Sequence, residues 1–142
     1  MTVVTSSTTI NAPVTKVFDF LVTPENHKKW QPALLEVSVT PAGPIGIGSI
    51  YHYVTQVMGN KYPSQIQVSG YEVNKKWAYK TTGVPNPVET VYTFEAAGAA
   101  TNVTISMDVP ANAYPAAAAP MIMQQMQKSL VDQCAALKKA LE

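Results

Sequence analysis

The sequence predicts an α+β fold: an antiparallel sheet of about seven strands, two short helices between the first strand and the second, and one long C-terminal helix. Three observations predict it. Strand-like runs follow one another at hairpin spacing from residue 33 to residue 109. Apolar residues recur every three or four positions in "PVTKVFDFLV" near the start and in "MIMQQMQKSLVDQCAALKKALE" at the end, the period of a helix with one buried face. The connections between the strand-like runs carry Gly, Pro and Asn, the residues that turns need.

Residues 2–10, "TVVTSSTTI", are nearly all β-branched or serine and predict the first strand. Pro13 then suits a first helical turn, where its missing N–H has no partner to lose. Val14, Val17, Phe18, Leu21 and Val22 mark one face of the helix that follows. A second short helix, "PENHKKW", begins at Pro24 with Thr23 as its N-cap and closes on Trp30. Strands are expected at 33–40, 49–58, 61–73, 76–82, 88–96 and 101–109. Gly59-Asn60 reads as the dipeptide of a tight hairpin, and Gly70 as a bulge. "PAGPIGIG" and "GVPNP" are turns, and "AGAA" closes the last hairpin. On the long helix Met123, Met126, Leu130, Cys134, Leu137 and Leu141 form an apolar stripe. Begun near Tyr114, that helix would carry a kink at Pro120. Roughly 25 residues at about 1.5 Å each would make a rod approaching 40 Å.

The 142 residues suit a single domain, 1–142, with one core. Charged residues make up 13%, about half the usual ~25%, and the net charge is +1. The basic residues are scattered, with Lys28-Lys29, Lys75-Lys76 and Lys138-Lys139 the only pairs, so no nucleic-acid footprint is present. One cysteine allows no internal disulfide and fits a reducing compartment. "MTVVTSSTTINAP" has neither the basic start nor the apolar run of a signal peptide, and no stretch approaches the ~18 apolar residues of a membrane span. The expectation is a soluble, cytoplasmic protein. Its low charge content fits some covered surface, such as that of a homodimer.

Five stretches occur in a telling order: "INAPVTKVFDFLVTPENHKKWQP", "GIGSIYHY", "YEVNKKWAY", "YTFEAAGAATNVTISM" and "LVDQCAALKKALE". Together they resemble the helix-grip fold of the START-like superfamily. That superfamily includes the StAR-related lipid-transfer domains, the birch-pollen-allergen-like proteins and the bacterial polyketide cyclase/dehydrase family. The resemblance covers nearly the whole chain. It implies a seven-stranded sheet curved around the long helix, with a mostly apolar cavity between them. It also implies an entrance between the start of the long helix and the turns "PAGPIGI" and "TGVPNP".

Strand alternation supplies the wall of that cavity. Trp77, Tyr79, Tyr92, Phe94, Val103, Ile105 and Met107 share a phase opposite to Lys80, Glu89, Glu95, Asn102, Ser106 and Asp108, which want water. Neither face of 49–58 is cleanly polar; matching the family pattern after Gly48 places Tyr51 and Tyr53 inward and His52 outward. The expected ligand-binding set is therefore Tyr51, Tyr53, Trp77, Tyr79, Tyr92, Phe94, Ile105, Met107, Met123 and Met126. Acid–base catalysis would need an inward His, Asp or Glu. The chain has two histidines; His27, in "PENHKKW", reads as solvated. Glu36 and Glu72 also fall on outward phases or in turns. Cys134 reads as a small core residue. No catalytic residue, metal site or cofactor is predicted, and the glycines of "AGPIGIGS" precede a strand rather than a phosphate-cradling helix.

Three functions compete. The foremost is binding or transport of a small hydrophobic ligand: a lipid, polyketide, steroid or aromatic compound. The second is an enzyme of the polyketide cyclase/dehydrase type, in which Tyr51, Tyr53, Tyr79 or Tyr92 orients the substrate. The third is a protein-interaction module like the co-chaperone relatives of the fold.

Overall fold

A computed structural model describes residues 2–30, 34–41, 44–82, 88–109 and 115–142. The β-branched opening run forms β1 (Thr2–Ile10), followed by α1 (Val14–Val22). A single 3-10 turn (Pro24–Asn26) leads into α2 (His27–Trp30). Six strands follow: β2 (Leu34–Thr40), β3 (Ile50–Val57), β4 (Asn60–Glu72), β5 (Lys76–Thr81), β6 (Glu89–Ala97) and β7 (Ala100–Val109). The chain then enters α3 (Ala119–Leu141). All seven strands form one antiparallel sheet in the order β1-β7-β6-β5-β4-β3-β2, curved around the long helix.

Local details differ from the sequence reading in three places. The β3–β4 loop is Met58-Gly59, one residue earlier than expected, because Val57 pairs with Asn60. Both loop residues have positive φ, 52° and 82°, as a primed two-residue hairpin requires. Gly70 does sit at a register shift between β4 and β5. Helix α3 starts at Ala119, so Pro120 occupies its first turn, where proline is tolerated, rather than an interior position. The expected helix start at Tyr114 lies outside the described residues. The two turns expected to frame an entrance leave the sheet in opposite directions. Gly48 bonds to Val68 as the β2–β3 connection runs toward the end of β4, while Thr82 bonds to Gln65 as the β5–β6 connection departs toward its start. Residues 42–43 and 83–87 of those turns are outside the described residues.

The register stacks the inward side chains into rows. Ser6, Ile105, Tyr92, Trp77 and Tyr71 are neighbours across five strands, and Val4, Met107, Thr90, Tyr79 and Val68 form the next row. Helix α3 closes over them unevenly. Leu130, Cys134, Leu137 and Leu141 in its later turns are buried, whereas no residue from 119 to 129 is. The helix also reaches the edge strand β1. Gln127 donates to the Thr5 carbonyl and Lys138 to the Thr9 carbonyl, both at 2.8 Å. Glu142 accepts from the Asn11 backbone at 3.0 Å and pairs with Lys138.

Candidate functional site

The interior is built on aromatic rings, and its centre is a histidine. His27 is fully enclosed, at 0% exposed, although "PENHKKW" reads as a surface helix. It and Trp30 lie three positions apart on α2 and both point into the core; a large apolar residue sharing its face was the available signal. Its ring stacks on Tyr51 at 5.1 Å and 4°, and meets Trp30, Tyr53 and Trp77 within 5.8 Å.

The hydrogen bonds around His27 fix its tautomer. Nε2 lies 2.8 Å from the Leu21 carbonyl, which can only accept, so Nε2 carries the proton. Nδ1, 2.8 Å from the Tyr53 hydroxyl, therefore accepts from it. Tyr51 donates to the Val22 carbonyl at 2.6 Å. Leu21 and Val22 belong to the last turn of α1, whose carbonyls have no partner within the helix. His27 and Tyr51 cap them from α2 and β3, while Thr23 caps Asp19 through both its backbone N–H and its hydroxyl. Burial holds the imidazole pKa down to about 4, partly opposed by the Leu21 hydrogen bond, so the ring is neutral at pH 7.

Tyr51 and Tyr53 are thus inward, at 0% and 8% exposed, and His52 points away, its Nε2 against the Thr40 hydroxyl at 2.8 Å. Trp77, Tyr79 and Tyr92 continue the cluster with centroids 5.1 to 6.2 Å apart. The Tyr92 hydroxyl crosses to α3 and donates to Gln133 Oε1 at 2.8 Å. Burial pushes the phenols of Tyr51, Tyr79 and Tyr92 upward, so each stays a protonated donor. The Trp77 N–H leans on the Tyr51 oxygen closely enough to temper its shift, yet without hydrogen-bond geometry.

Ile105 adjoins Tyr92 in the first row and is fully buried. Met107, next to Thr90 in the second row, packs against the core while keeping some accessible surface, as do Tyr79, Met123 and Met126. Phe94 stands apart: it is buried, but edge-on to Phe18 at 5.2 Å beneath α1 rather than among the tyrosines. Three clefts of about 600, 680 and 630 Å³ are bounded by described residues. They touch Phe94 and Tyr53 but none of the other expected ligand-binding residues.

Among the described inward residues His27 is the one imidazole, and with both nitrogens engaged and its pKa held down to about 4 by burial it is no proton exchanger at neutral pH. Glu36, Glu72 and Glu95 are exposed, and Glu89 is partly so, bonded to Ser69. Asp108 is less open than its outward phase suggests, with Oδ1 enclosed. Cys134 is a buried thiol on the α3 stripe, pushed up by burial and only partly offset by Ser6. Among the described residues, no three His, Cys, Asp or Glu side chains cluster to hold a metal ion, and no helix is long and apolar enough to cross a membrane. The arrangement offers apolar walls and phenol donors, a chemistry of binding and orientation.

Similar architecture recurs in solved structures. A START superfamily protein from Mycobacterium smegmatis superposes with a TM-score of 0.80 at 15% identity, over 98% of this chain and 96% of that one. The Aha1 dimer from Colwellia psychrerythraea gives 0.76 at 19%, over 100% and 97%, and a protein from Thermus thermophilus, TTHA0849, gives 0.77 at 14%, over 99% and 97%. No curated protein matches the chain. The family profile described as polyketide cyclase / dehydrase and lipid transport matches residues 1–142, and the chain belongs to that family.

Proposed function

We propose that the protein binds and carries a small hydrophobic molecule between the inner face of the sheet and the first half of α3. One observation carries this reading: Tyr79, Met107, Met123 and Met126 lie on inward phases against the core, yet all keep accessible surface. A fully packed core would enclose them, as it encloses Ile105 and Leu137. Methionines suit such a wall, since a flexible thioether adapts to differently shaped guests. Tyr51 and Tyr53 stand behind that wall, enclosed, with their hydroxyls held by α1 and α2.

The test is native mass spectrometry of freshly purified protein, followed by denaturing extraction. A stoichiometric apolar companion is the expected result. Clean apo protein that also takes up no apolar probe would sink the carrier reading. A second reading is supported by Tyr79: its phenol, kept protonated by burial, retains accessible surface beside the apolar wall and could orient a carbonyl substrate, as a cyclase or dehydrase needs. In that case Tyr79→Phe would lower turnover of a polyketide-like substrate while leaving its binding largely intact. An interaction module of the kind suggested by the Aha1 likeness would instead give a clean dimer or partner complex with no small companion.

A further inference from the structure

The end of α1 gathers negative charge that no described residue answers. A helix C-terminus is the negative end of its dipole and is stabilised by nearby cations. Helix α1 has no basic residue in its last turn and carries the exposed Asp19 there instead. Its final carbonyls, those of Leu21 and Val22, are met by neutral donors, His27 and Tyr51. Glu25, in the turn that follows, adds a second exposed carboxylate. Among the described residues the one ion pair joins Lys138 to Glu142, so neither acid has a cationic partner. Lys29, on the next helix, lies over the Phe20 ring at 5.9 Å instead.

Asp19 and Glu25 border one cleft of about 680 Å³, together with Val22, Val37, Val39 and Tyr71. That volume is ordinary for a small-molecule site. Val37 and Val39 pair with Tyr53 and Tyr51, and Tyr71 pairs with Trp77, so all three face the inner side of the sheet. They and Ile45, also on the cleft, pack against the core while keeping accessible surface. Among the described residues that line the cleft, none is basic and none comes from α3. The cleft therefore lies on the β2 side of α1, apart from the ground between the sheet and α3. Its floor is apolar and its rim is acidic.

We propose that this cleft is a second site, which takes a primary alkylammonium ion with its charged head at Asp19 and Glu25 and its chain on Val37, Val39, Ile45 and Tyr71. An ammonium group brings three hydrogen-bond donors, and ionised carboxylates can only accept. It also supplies the cation that the end of α1 lacks. A neutral chain of the same length gains the floor alone. The site is independent of the carrier reading, which concerns the α3 side of the sheet.

Hexylammonium and hexanol, chains of one length with and without the charge, are the probes. Binding is followed through the methyl signals of Val37 and Val39, which border this cleft and neither of the other two. Hexylammonium is expected to shift those signals and to bind there roughly three- to tenfold more tightly than hexanol, a preference that fades as salt is raised. Asp19→Asn combined with Glu25→Gln should abolish the preference and leave hexanol binding unchanged. Both side chains are exposed, so the core stays intact; should the variant still fail to fold, the salt dependence of the wild-type protein decides. Equal affinity of the two probes, or a preference that survives the double substitution, would overturn the inference. So would hexylammonium shifts confined to the methyl signals of Met107, Met123 and Met126, with Val37 and Val39 unmoved. A lysine-bearing peptide that bound there while hexylammonium did not would assign the cleft to a protein partner, and that too would overturn it.

Discussion

His27 shows how much one side chain can organise. It joins the end of α1, through Leu21, to β3, through Tyr53, and it stacks on Tyr51 in the same movement. Tyr53→Phe removes the donor to Nδ1 and leaves that nitrogen unpaired inside the core; Tyr51→Phe does the same to the Val22 carbonyl. Each is expected to cost about 1–2 kcal/mol, read as a lower urea midpoint at unchanged m. The imidazole also sets a pH dependence. Its pKa is about 4 in the fold against 6.5 in the unfolded chain, so between those values the unfolded state binds more protons and stability rises with pH. The contribution is complete above pH 6.5 and drains away toward pH 4, a loss of roughly 3 kcal/mol. Urea unfolding at neutral pH and near the lower limit should show that loss. The His27 ring signals should stay flat from about pH 5 upward; a midpoint near the ordinary histidine value would mean a wet ring.

Among the elements, the β3–β4 hairpin is held less comfortably than its neighbours. Met58 is 96% exposed and sits at φ 52°, a conformation that a side-chain-bearing residue adopts at a cost. Met58→Asn, giving the Asn-Gly pair that primed turns prefer, should stabilise the protein by about 0.5–1 kcal/mol in the same urea assay. The bulge at Gly70 runs the other way. A Cβ there would stand 3.1 Å from Lys76 Cε and 3.2 Å from Ala78 Cβ. The lysine can swing aside, but Ala78 is 1% exposed and cannot, so Gly70→Ala should cost about 1 kcal/mol or more. The bulge was legible because a lone glycine in a strand pattern has few other uses. The hairpin was legible only to within a residue. A loop's register depends on which face of β3 is buried, and Tyr51 and His52 leave the alternation of that strand undecided.

Across the whole molecule, the fold was open to reading and the site only partly so. Strand and helix periods are local, and seven strands plus an amphipathic C-terminal helix leave few ways to bury one core. The inward phases of Trp77, Tyr92 and Ile105 followed from the same alternation. Burial of His27 did not, because it comes from Tyr53, 26 positions away, and from an α1 carbonyl that needed a cap. Phe94 shares the inward phase of Tyr92 yet serves a different cluster, since phase says which side of a sheet a residue faces and not what waits there. The sheet itself ends at β1 and β2. Gln127 and Lys138 occupy the carbonyls of Thr5 and Thr9 along the first of these margins. Its valence for further strands is therefore lopsided: a stranger can add beside β2, but continuation past β1 requires α3 to let go first. Two copies joined through β2 would saturate one another, whereas fibres would need the helix peeled away. Gln127→Ala combined with Lys138→Ala should accordingly raise the rate of aggregation on mild heating, followed by light scattering, more than any fall in the unfolding midpoint accounts for.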